Sequence, residues 1–351
     1  MSGNTISFTL FKSDQVSRRT MRYALGMVVM FALVFTFNWP GAFLVILLGN
    51  GFLLGAKPTL EFALDFVYKF ALGFVFSLII TYLFIDYYLL FLPIMGMIML
   101  YVYYSDASVL SPILKVALCI LNMIVPLMWL KTPMLGVTLG LVLVIGAFAA
   151  ILLTMIMFAL IPDIEKVDSD DHGSHAADVQ HLSKTQRFNL ALKSVMALMP
   201  VIIMFLFFDM QTDALIIVYI SLYAAMPDFA NDFKLGKLMV KTTMIGGCVA
   251  FFMYEILVLI PMFSFFMLMV FGLALYAGHQ MISQGKYALN IQKSFSAVIF
   301  IFGQVANNPD ADAESKMWIR VVQMTVIVIY LVIAFRVLEM FFPETKKQSI
   351  P

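Results

Sequence analysis

The chain has 351 residues, of which 62% are hydrophobic and only 12% are charged, and its formal net charge is +1. A soluble domain has about 45–50% apolar and about 25% charged residues, so this composition excludes a soluble globular protein and predicts one embedded in lipid. The near-neutral charge argues against a nucleic-acid partner. Cys119 and Cys248 lie inside apolar runs, where no disulfide framework is expected.

Apolar runs separated by short polar breaks follow a polar, basic lead-in at residues 1–21. Six lie at about 22–37, 41–55, 62–85, 88–104, 109–130 and 133–161, and six more at about 188–208, 213–227, 238–260, 262–278, 287–305 and 317–342. A hydrocarbon core of about 30 Å needs about 20 apolar residues per helix, so 41–55 and 213–227 are expected to be tilted, broken or re-entrant. The sequence predicts an all-α polytopic membrane protein with about 10–12 transmembrane helices.

The second six runs repeat the first six at an offset of 171 to 172 residues. The aligned positions are Arg22 with Lys193, Lys69 with Lys241, and Lys115-Val116-Ala117-Leu118 with Lys286-Tyr287-Ala288-Leu289. Six spans per copy give both copies the same orientation in the membrane. The predicted organisation is therefore two parallel six-helix repeats, 22–161 and 188–342, joined by a linker at 162–187 and followed by a tail at 343–351.

Lysine and arginine are concentrated in one set of the predicted loops. With the N-terminus inside, the inner loops hold Lys12, Arg18, Arg19, Arg22, Lys57, Lys166, Lys184, Arg187, Lys234, Lys237, Lys286, Lys346 and Lys347. The outer loops hold Lys131 and Lys316. Because basic residues favour the cytoplasmic side, both termini and the 162–187 linker are predicted to be cytoplasmic.

Ionisable side chains beside or within apolar runs are costly in lipid and are the first candidates for function. Glu61, Asp65 and Lys69 are spaced four residues apart and share one face of the third predicted helix, and Lys241 is the aligned residue of the second repeat. In the functional interpretation, Lys69 and Lys241 attract an anionic substrate while Glu61 or Asp65 carries a proton. In the structural interpretation, Asp65 and Lys69 form an interfacial ion pair.

Further candidates lie in other runs. Glu255 is near the outer end of the 238–260 run, where it would exchange protons if buried in the hydrocarbon region and would be an interface residue otherwise. Two polar pairs, Lys115 with Asn122 and Asn290 with Lys293, occupy matching helices of the two copies. Each pair is compatible with a polar substrate path or with hydrogen bonds between helices.

The linker contains an Asp- and His-rich stretch that resembles a metal site in composition only. Asp170, Asp171, His172 and His175 do not match the spacing of a zinc site, and a solvated loop is expected. The chain has no nucleotide-binding loop, no HExxH and no GxSxG motif. We therefore expect no metal, no cofactor and no enzymatic activity.

Four short motifs give the chain a family resemblance. They are Arg22-Tyr23-Ala24-Leu25-Gly26, Asn38-Trp39-Pro40, Gly55-x-Lys57-Pro58-Thr59, and a basic residue before Gly73. Together with the six-plus-six layout, they resemble the fusaric-acid-resistance and aromatic acid exporter family (FUSC-like), in a short branch without its large cytoplasmic domain. The family pattern has arginine before a following Gly-Thr. Here Lys69 precedes Gly73 and Lys241 precedes Gly246-Gly247, and lysine lacks the planar fork of arginine.

This resemblance implies efflux across the bacterial inner membrane, driven by the proton gradient, with a periplasmic adaptor of the membrane-fusion type as partner. The leading hypothesis is thus a secondary exporter of small aromatic or amphipathic organic anions. The alternatives are a non-transporting scaffold subunit of an envelope-building complex and a lipid or polyisoprenoid carrier, which the 27 Met and 34 Phe permit. Membrane lipid is an expected partner in each case, and the sequence leaves homo-oligomer formation open.

Overall fold

The structure is a computed structural model that describes residues 15–37, 39, 42–106, 110–163, 184–207, 214–224, 233–283, 287–306 and 313–341. These residues form helices and no strand, which confirms the all-α prediction. In chain order the helices are α1 (Gln15–Thr36), α2 (Ala42–Leu54), α3 (Leu60–Phe84), α4 (Tyr88–Tyr104), α5 (Pro112–Lys131), α6 (Pro133–Leu160), α7 (Lys184–Phe207), α8 (Ala214–Ala224), α9 (Phe233–Leu259), α10 (Phe263–Ile282), α11 (Ala288–Ala306) and α12 (Ala313–Phe341). The Asp- and His-rich stretch of the linker lies outside the described residues.

Eight of the described helices are long and apolar enough to cross a membrane. They are α1, α3, α5, α6, α7, α9, α10 and α12. This result fits the predicted multi-pass membrane protein. The apolar faces that helix packing leaves uncovered have the composition of a lipid-facing surface. On α6, for example, Leu141, Ile145, Phe148 and Leu152 are exposed one turn after another.

Local sequence sets where several helices begin. Thr59 caps α3, because its hydroxyl accepts a hydrogen bond from the backbone N–H of Phe62 at 3.2 Å. Ser111 and Thr132 cap α5 and α6 in the same way, and each is followed by a proline at the first helical position, where the missing N–H costs nothing.

Other helices begin before their apolar runs do. Helix α1 begins at Gln15 rather than 22, α7 at Lys184 rather than 188, and α9 at Phe233 rather than 238. The apolar run marks the part of a helix within lipid, whereas the helix itself continues into the polar interface. The second membrane unit accordingly begins four residues inside the predicted linker.

Over the residues that the structure describes, helices α2 and α8 are shorter than a bilayer crossing requires. They have 13 and 11 residues, about 20 Å and about 17 Å at 1.5 Å per residue, against a hydrocarbon core of about 30 Å. Both have buried residues, including Leu44 and Ile46 on α2 and Ile217 and Val218 on α8. Each therefore packs part of its surface against the bundle.

The interior of the bundle is formed around α5 and α11. Every residue of α5 from Ala117 to Leu127 is buried, as are residues 297–302 of α11. Helix α5 packs against α3, α4, α6 and α8, and helix α11 packs against α2, α9, α10 and α12. The other packed pairs include α1 with α10 and α4 with α7, which join early helices of the chain to late ones.

Helix α9 approaches α11 closely at Gly246, a position where a side chain would not fit. A Cβ on Gly246 would lie far inside van der Waals distance of the Ser294 carbonyl oxygen and 2.9 Å from the Ala297 Cβ. Since a backbone oxygen cannot move aside as a flexible side chain can, glycine permits this close approach.

Candidate functional site

The two short helices carry buried polar residues at matched positions. Asn50 on α2 and Ser221 on α8 are 171 residues apart, the offset found in the sequence, and are 4% and 0% exposed. The Tyr23 hydroxyl of α1 donates to Asn50 Oδ1 at 2.5 Å. On α8, the Tyr103 hydroxyl of α4 donates to the Ser221 carbonyl oxygen at 3.0 Å and lies 3.3 Å from its Oγ. A tyrosine hydroxyl of a neighbouring helix thus donates a hydrogen bond to each short helix.

A second group of polar side chains lies on one face of α5. Lys115, Cys119 and Asn122 are separated by four and then three residues, which places them on the same side of the helix; this set is called the polar face of α5. The Lys115 ammonium donates to the carbonyl oxygen of Ser105, just after α4. From α8, Ser221 Oγ donates to the Cys119 carbonyl oxygen at 3.4 Å. The face is therefore bordered by α4 and α8.

Asn122 has an unused hydrogen-bond donor. Its side chain is 1% exposed, and its Nδ2 has no partner among the residues that the structure describes. A buried amide without an acceptor costs about 1–3 kcal/mol. Asn122 is thus a buried polar residue of the polar face, and its amide nitrogen forms no hydrogen bond to a neighbouring helix in the described part of the chain.

Charged residues gather where α4 ends and where α5 and α7 begin. Arg187 of α7 forms an ion pair with Asp106, and Lys115 is within electrostatic range of both. Asp106 is 36% exposed and Arg187 is 15% exposed. Among the described residues, this end of the polar face thus brings together Lys115, Arg187 and Asp106.

A comparable group lies at the beginning of α1. Arg22 is 2% exposed, and its Nη1 donates to Asp163 Oδ1 at 3.0 Å, while Arg19 Nε donates to the same oxygen at 3.1 Å. The Arg22 guanidinium also lies 3.6 Å from the centre of the Phe158 ring of α6. Asp163 thus compensates a charge that would be costly to bury alone. Lys193, the aligned residue of α7, is likewise 1% exposed.

The structure places the predicted charged ladder of α3 at the edge of the bundle. Lys69 Nζ and Asp65 Oδ2 are 2.5 Å apart, with side chains 27% and 44% exposed, and Glu61 is exposed. Helix α3 packs against α4, α5 and α6, whereas α9, which carries the exposed Lys241, packs against α10, α11 and α12. The described contacts therefore do not bring Lys69 and Lys241 into one site.

The remaining predicted residues are half-buried. Glu255 lies near the end of α9, and Asn290 and Lys293 lie in the first turns of α11. Helices α5 and α11 are not among the extensively packed pairs in the described part of the chain. Lys115 thus contacts the Ser105 carbonyl after α4, and the described packing does not bring α5 against the helix that carries Asn290 and Lys293.

Sequence reasoning overlooked the neutral members of this region. Tyr23, Asn50, Tyr103 and Ser221 each stand in an apolar run, where one polar residue carries little signal. The offset of 171 residues between Asn50 and Ser221 was available in the sequence and would have singled out this pair. In the described ranges, no group of three or more His, Cys, Asp and Glu side chains could hold a metal ion.

No family model, curated protein or solved structure matches this chain. The family resemblance given above therefore depends on its quoted motifs alone.

Proposed function

We propose that this chain is a secondary exporter of small aromatic or amphipathic organic anions across the bacterial inner membrane. The observation that carries the proposal is the pair of short helices α2 and α8, each with a buried polar residue at the same offset. Short or interrupted helices in corresponding positions of two halves are a feature of secondary transporters, whose substrates bind between the halves.

The fold that we propose is two parallel six-helix repeats, and helix packing supports it. If six is added to the number of each helix in a packed pair, and the count restarts at one after twelve, most packed pairs become other packed pairs. Examples are α3–α5 with α9–α11, α3–α6 with α9–α12, α1–α10 with α7–α4, and α2–α11 with α8–α5. The last two correspondences join one proposed repeat to the other, so the two would share one interior.

The Lys115 ammonium supports an anionic substrate. Its acceptor among the described residues is the neutral Ser105 carbonyl oxygen, and no carboxylate of these residues lies within ion-pair distance of it. In the proposal, Lys69 and Lys241 attract the anion at the cytoplasmic surface.

Proton coupling and the periplasmic adaptor come from the resemblance. Glu61, Asp65 and Glu255 are the proposed proton carriers, and both termini are proposed to be cytoplasmic. The adaptor would then bind the opposite, periplasmic surface.

Transport by the purified full chain in proteoliposomes tests the proposal. We expect movement of a radiolabelled aromatic acid such as 2-naphthoate when a proton gradient is imposed, and none when it is collapsed. Absence of gradient-dependent movement by the wild-type protein would refute export.

Replacement of the α3 ion pair separates an exporter from a scaffold. We expect Lys69→Ala alone, and Asp65→Leu with Lys69→Leu, to abolish export while membrane insertion is kept. Arg336→Leu with Glu339→Leu is the matched control, because it removes another exposed ion pair within one helix. Normal export by the α3 variants would remove Lys69 from the mechanism and favour a structural role for its charge.

A further inference from the structure

The polar face of α5 extends from one end of the helix to its middle. Helix α5 has 20 residues and is about 30 Å long, so Lys115 lies about 5 Å from its beginning and Asn122 about 15 Å from it. A residue halfway along a helix of this length is near the middle of a hydrocarbon core of about 30 Å. This is the depth at which secondary transporters commonly bind substrate.

Two side chains on this face have hydrogen-bond donors that a ligand could use. Among the described residues, the acceptor of the Lys115 ammonium is the neutral carbonyl of Ser105, and no carboxylate lies within ion-pair distance of it. Asn122 Nδ2 is buried and without an acceptor in the same residues. A cation and an amide N–H together suit an anion that only accepts hydrogen bonds, as a carboxylate does.

An apolar wall accompanies these donors. Val102, Leu110, Leu118 and Cys119 form a small buried cluster separate from the main hydrophobic core. Partly buried side chains pack against this satellite cluster: Ile98, Tyr103, Leu114 and Leu222. Because Cys119 belongs to both the satellite cluster and the polar face, the donors and the wall are adjacent. A ligand between them would need a charged end and an apolar body.

We propose that the polar face of α5 is the substrate-binding site, and this inference rests on the proposed function. The carboxylate of a small organic acid binds the Lys115 ammonium, and its apolar body lies against the satellite cluster. An acceptor atom at the far end of the ligand receives a hydrogen bond from the Asn122 amide. Tyr103 and Ser221 border the site from α4 and α8, so helices from both halves of the chain contribute to it.

Three related probes measure the two contacts separately. They are 6-methoxy-2-naphthoate, its uncharged primary amide, and 2-naphthoate, which lacks the far acceptor. Binding of each to the purified full chain in lipid nanodiscs is followed by titration calorimetry. We expect the wild-type protein to bind the methoxy acid about tenfold or more tightly than the amide, because a hydrogen bond to a charged group is involved. We also expect it to prefer the methoxy acid to 2-naphthoate.

Two substitutions assign these preferences to residues. Lys115→Met is expected to remove the preference for acid over amide, and Asn122→Leu is expected to remove only the preference for the methoxy group. Lys131→Met is the matched control, since Lys131 is an exposed lysine at the other end of α5. It should leave all three affinities unchanged.

Several results would overturn the site. They are failure of all three probes to bind, equal affinity of the wild-type protein for acid and amide, and equal losses in Lys115→Met and Lys131→Met. Equal affinity of the wild-type protein for acid and amide overturns the site even where a variant fails to fold. Export of the methoxy acid without dependence of its binding on Lys115 would refute this site and leave the proposed function standing. Lys115-dependent binding without export would refute the proposed function and leave this binding site standing.

Discussion

The early and late helices of the chain meet in two places that differ in chemistry. Where α1 meets α10, the contact is aromatic and close, and we call it the aromatic seam. Its Phe35 and Phe266 rings are 5.0 Å apart, and Phe31 lies 6.1 Å from Phe266. A Cβ on Gly278 would lie 2.5 Å from the Tyr23 ring, so these two helices approach as closely as glycine allows.

Where α4 and α5 meet α7 and α8, the contact is polar, and we call it the polar seam. It is held by the Arg187–Asp106 ion pair and by the hydrogen bonds of Tyr103 and Ser221. A Cβ on Gly96 of α4 would lie 3.4 Å from the Met199 sulfur of α7, an ordinary contact with a flexible side chain. The polar seam is therefore less closely packed than the aromatic seam.

This difference indicates which seam can open. The packed rings of the aromatic seam gain dispersion energy from close contact. If the helices separated, these contacts would be lost without replacement. Polar groups can exchange their partners for water or for a ligand at little cost. We therefore expect the aromatic seam to stay closed during transport and the polar seam, which borders the polar face of α5, to open.

The largest effect is expected from locking the polar seam with a disulfide. Ser221→Cys places a thiol beside the native Cys119, because Ser221 Oγ lies 3.4 Å from the Cys119 carbonyl oxygen. In a Cys248→Ser background, oxidation should abolish export and a reductant should restore it. Cross-linking is read on a non-reducing gel after cleavage at a protease site inserted in the 162–187 linker.

A cysteine pair across the aromatic seam, Phe35→Cys with Phe266→Cys, is the comparison. When joined by a bifunctional thiol reagent, this protein should keep its export, because that seam is expected to stay closed. Equal inhibition by both cross-links would contradict the assignment of a single opening seam.

Adding one methyl group at a glycine of each seam should change the free energy of unfolding by clearly different amounts. Gly278→Ala forces the Tyr23 ring to move, although that ring is held by Asn50 and packs against Phe295. We expect a loss of about 1–3 kcal/mol in the free energy of unfolding. Gly96→Ala should be neutral or stabilise by up to about 1 kcal/mol, because Met199 can yield.

Gly272→Ala is the internal control for α10, since no atom lies within 4 Å of its added Cβ. Denaturant unfolding of the three variants in one detergent gives the ranking. Similar losses in Gly278→Ala and Gly96→Ala would mean that the seams are equally close-packed.

Replacing Tyr23 and Tyr103 by phenylalanine should show that one hydroxyl contributes mainly to stability and the other mainly to export. Tyr23→Phe leaves Asn50 Oδ1 without its buried donor, with an expected cost of about 1–2 kcal/mol of unfolding free energy and no specific effect on the affinity for substrate. Tyr103→Phe should cost less stability, because Ser221 Oγ retains its bond to the Cys119 carbonyl. It should nevertheless reduce export, since Tyr103 borders the polar face of α5. A larger loss of export in Tyr23→Phe than in Tyr103→Phe would mean that the Tyr23–Asn50 pair, and not the Tyr103–Ser221 pair, borders the substrate.

Much of the helical layout was predictable from hydrophobicity. Long apolar runs specify helices in lipid, because a backbone in hydrocarbon must satisfy its own hydrogen bonds. The brevity of 41–55 and 213–227 likewise pointed to short helices, found here as α2 and α8. Helix ends were less predictable, because polar residues such as Gln15 and Lys184 extend helices beyond the lipid.

The candidate site was predictable only where charge marked it. Lys115 and Asn122 stood out as polar residues in an apolar run, and both lie on the polar face of α5. Their partners could not be identified, because Tyr103 and Ser221 are brought to α5 by packing between helices distant in sequence. For the same reason, the alignment of Lys69 with Lys241 did not predict that α3 and α9 pack against different helices in the described part of the chain.

The smallest effect is expected from the ion pair at the end of the polar seam. Asp106 and Arg187 are partly exposed, so Asp106→Asn should cost less than about 1 kcal/mol of unfolding free energy, and less again at high salt. If the polar seam opens readily, even this loss should raise the rate at which maleimide reacts with buried Cys119 in the Cys248→Ser background. Glu339→Gln is the matched control, because it breaks another exposed ion pair, that of Glu339 with Arg336 on α12. A faster reaction in the Asp106 variant alone would place the opening at the polar seam, whereas equal acceleration in both would indicate general loosening of the bundle.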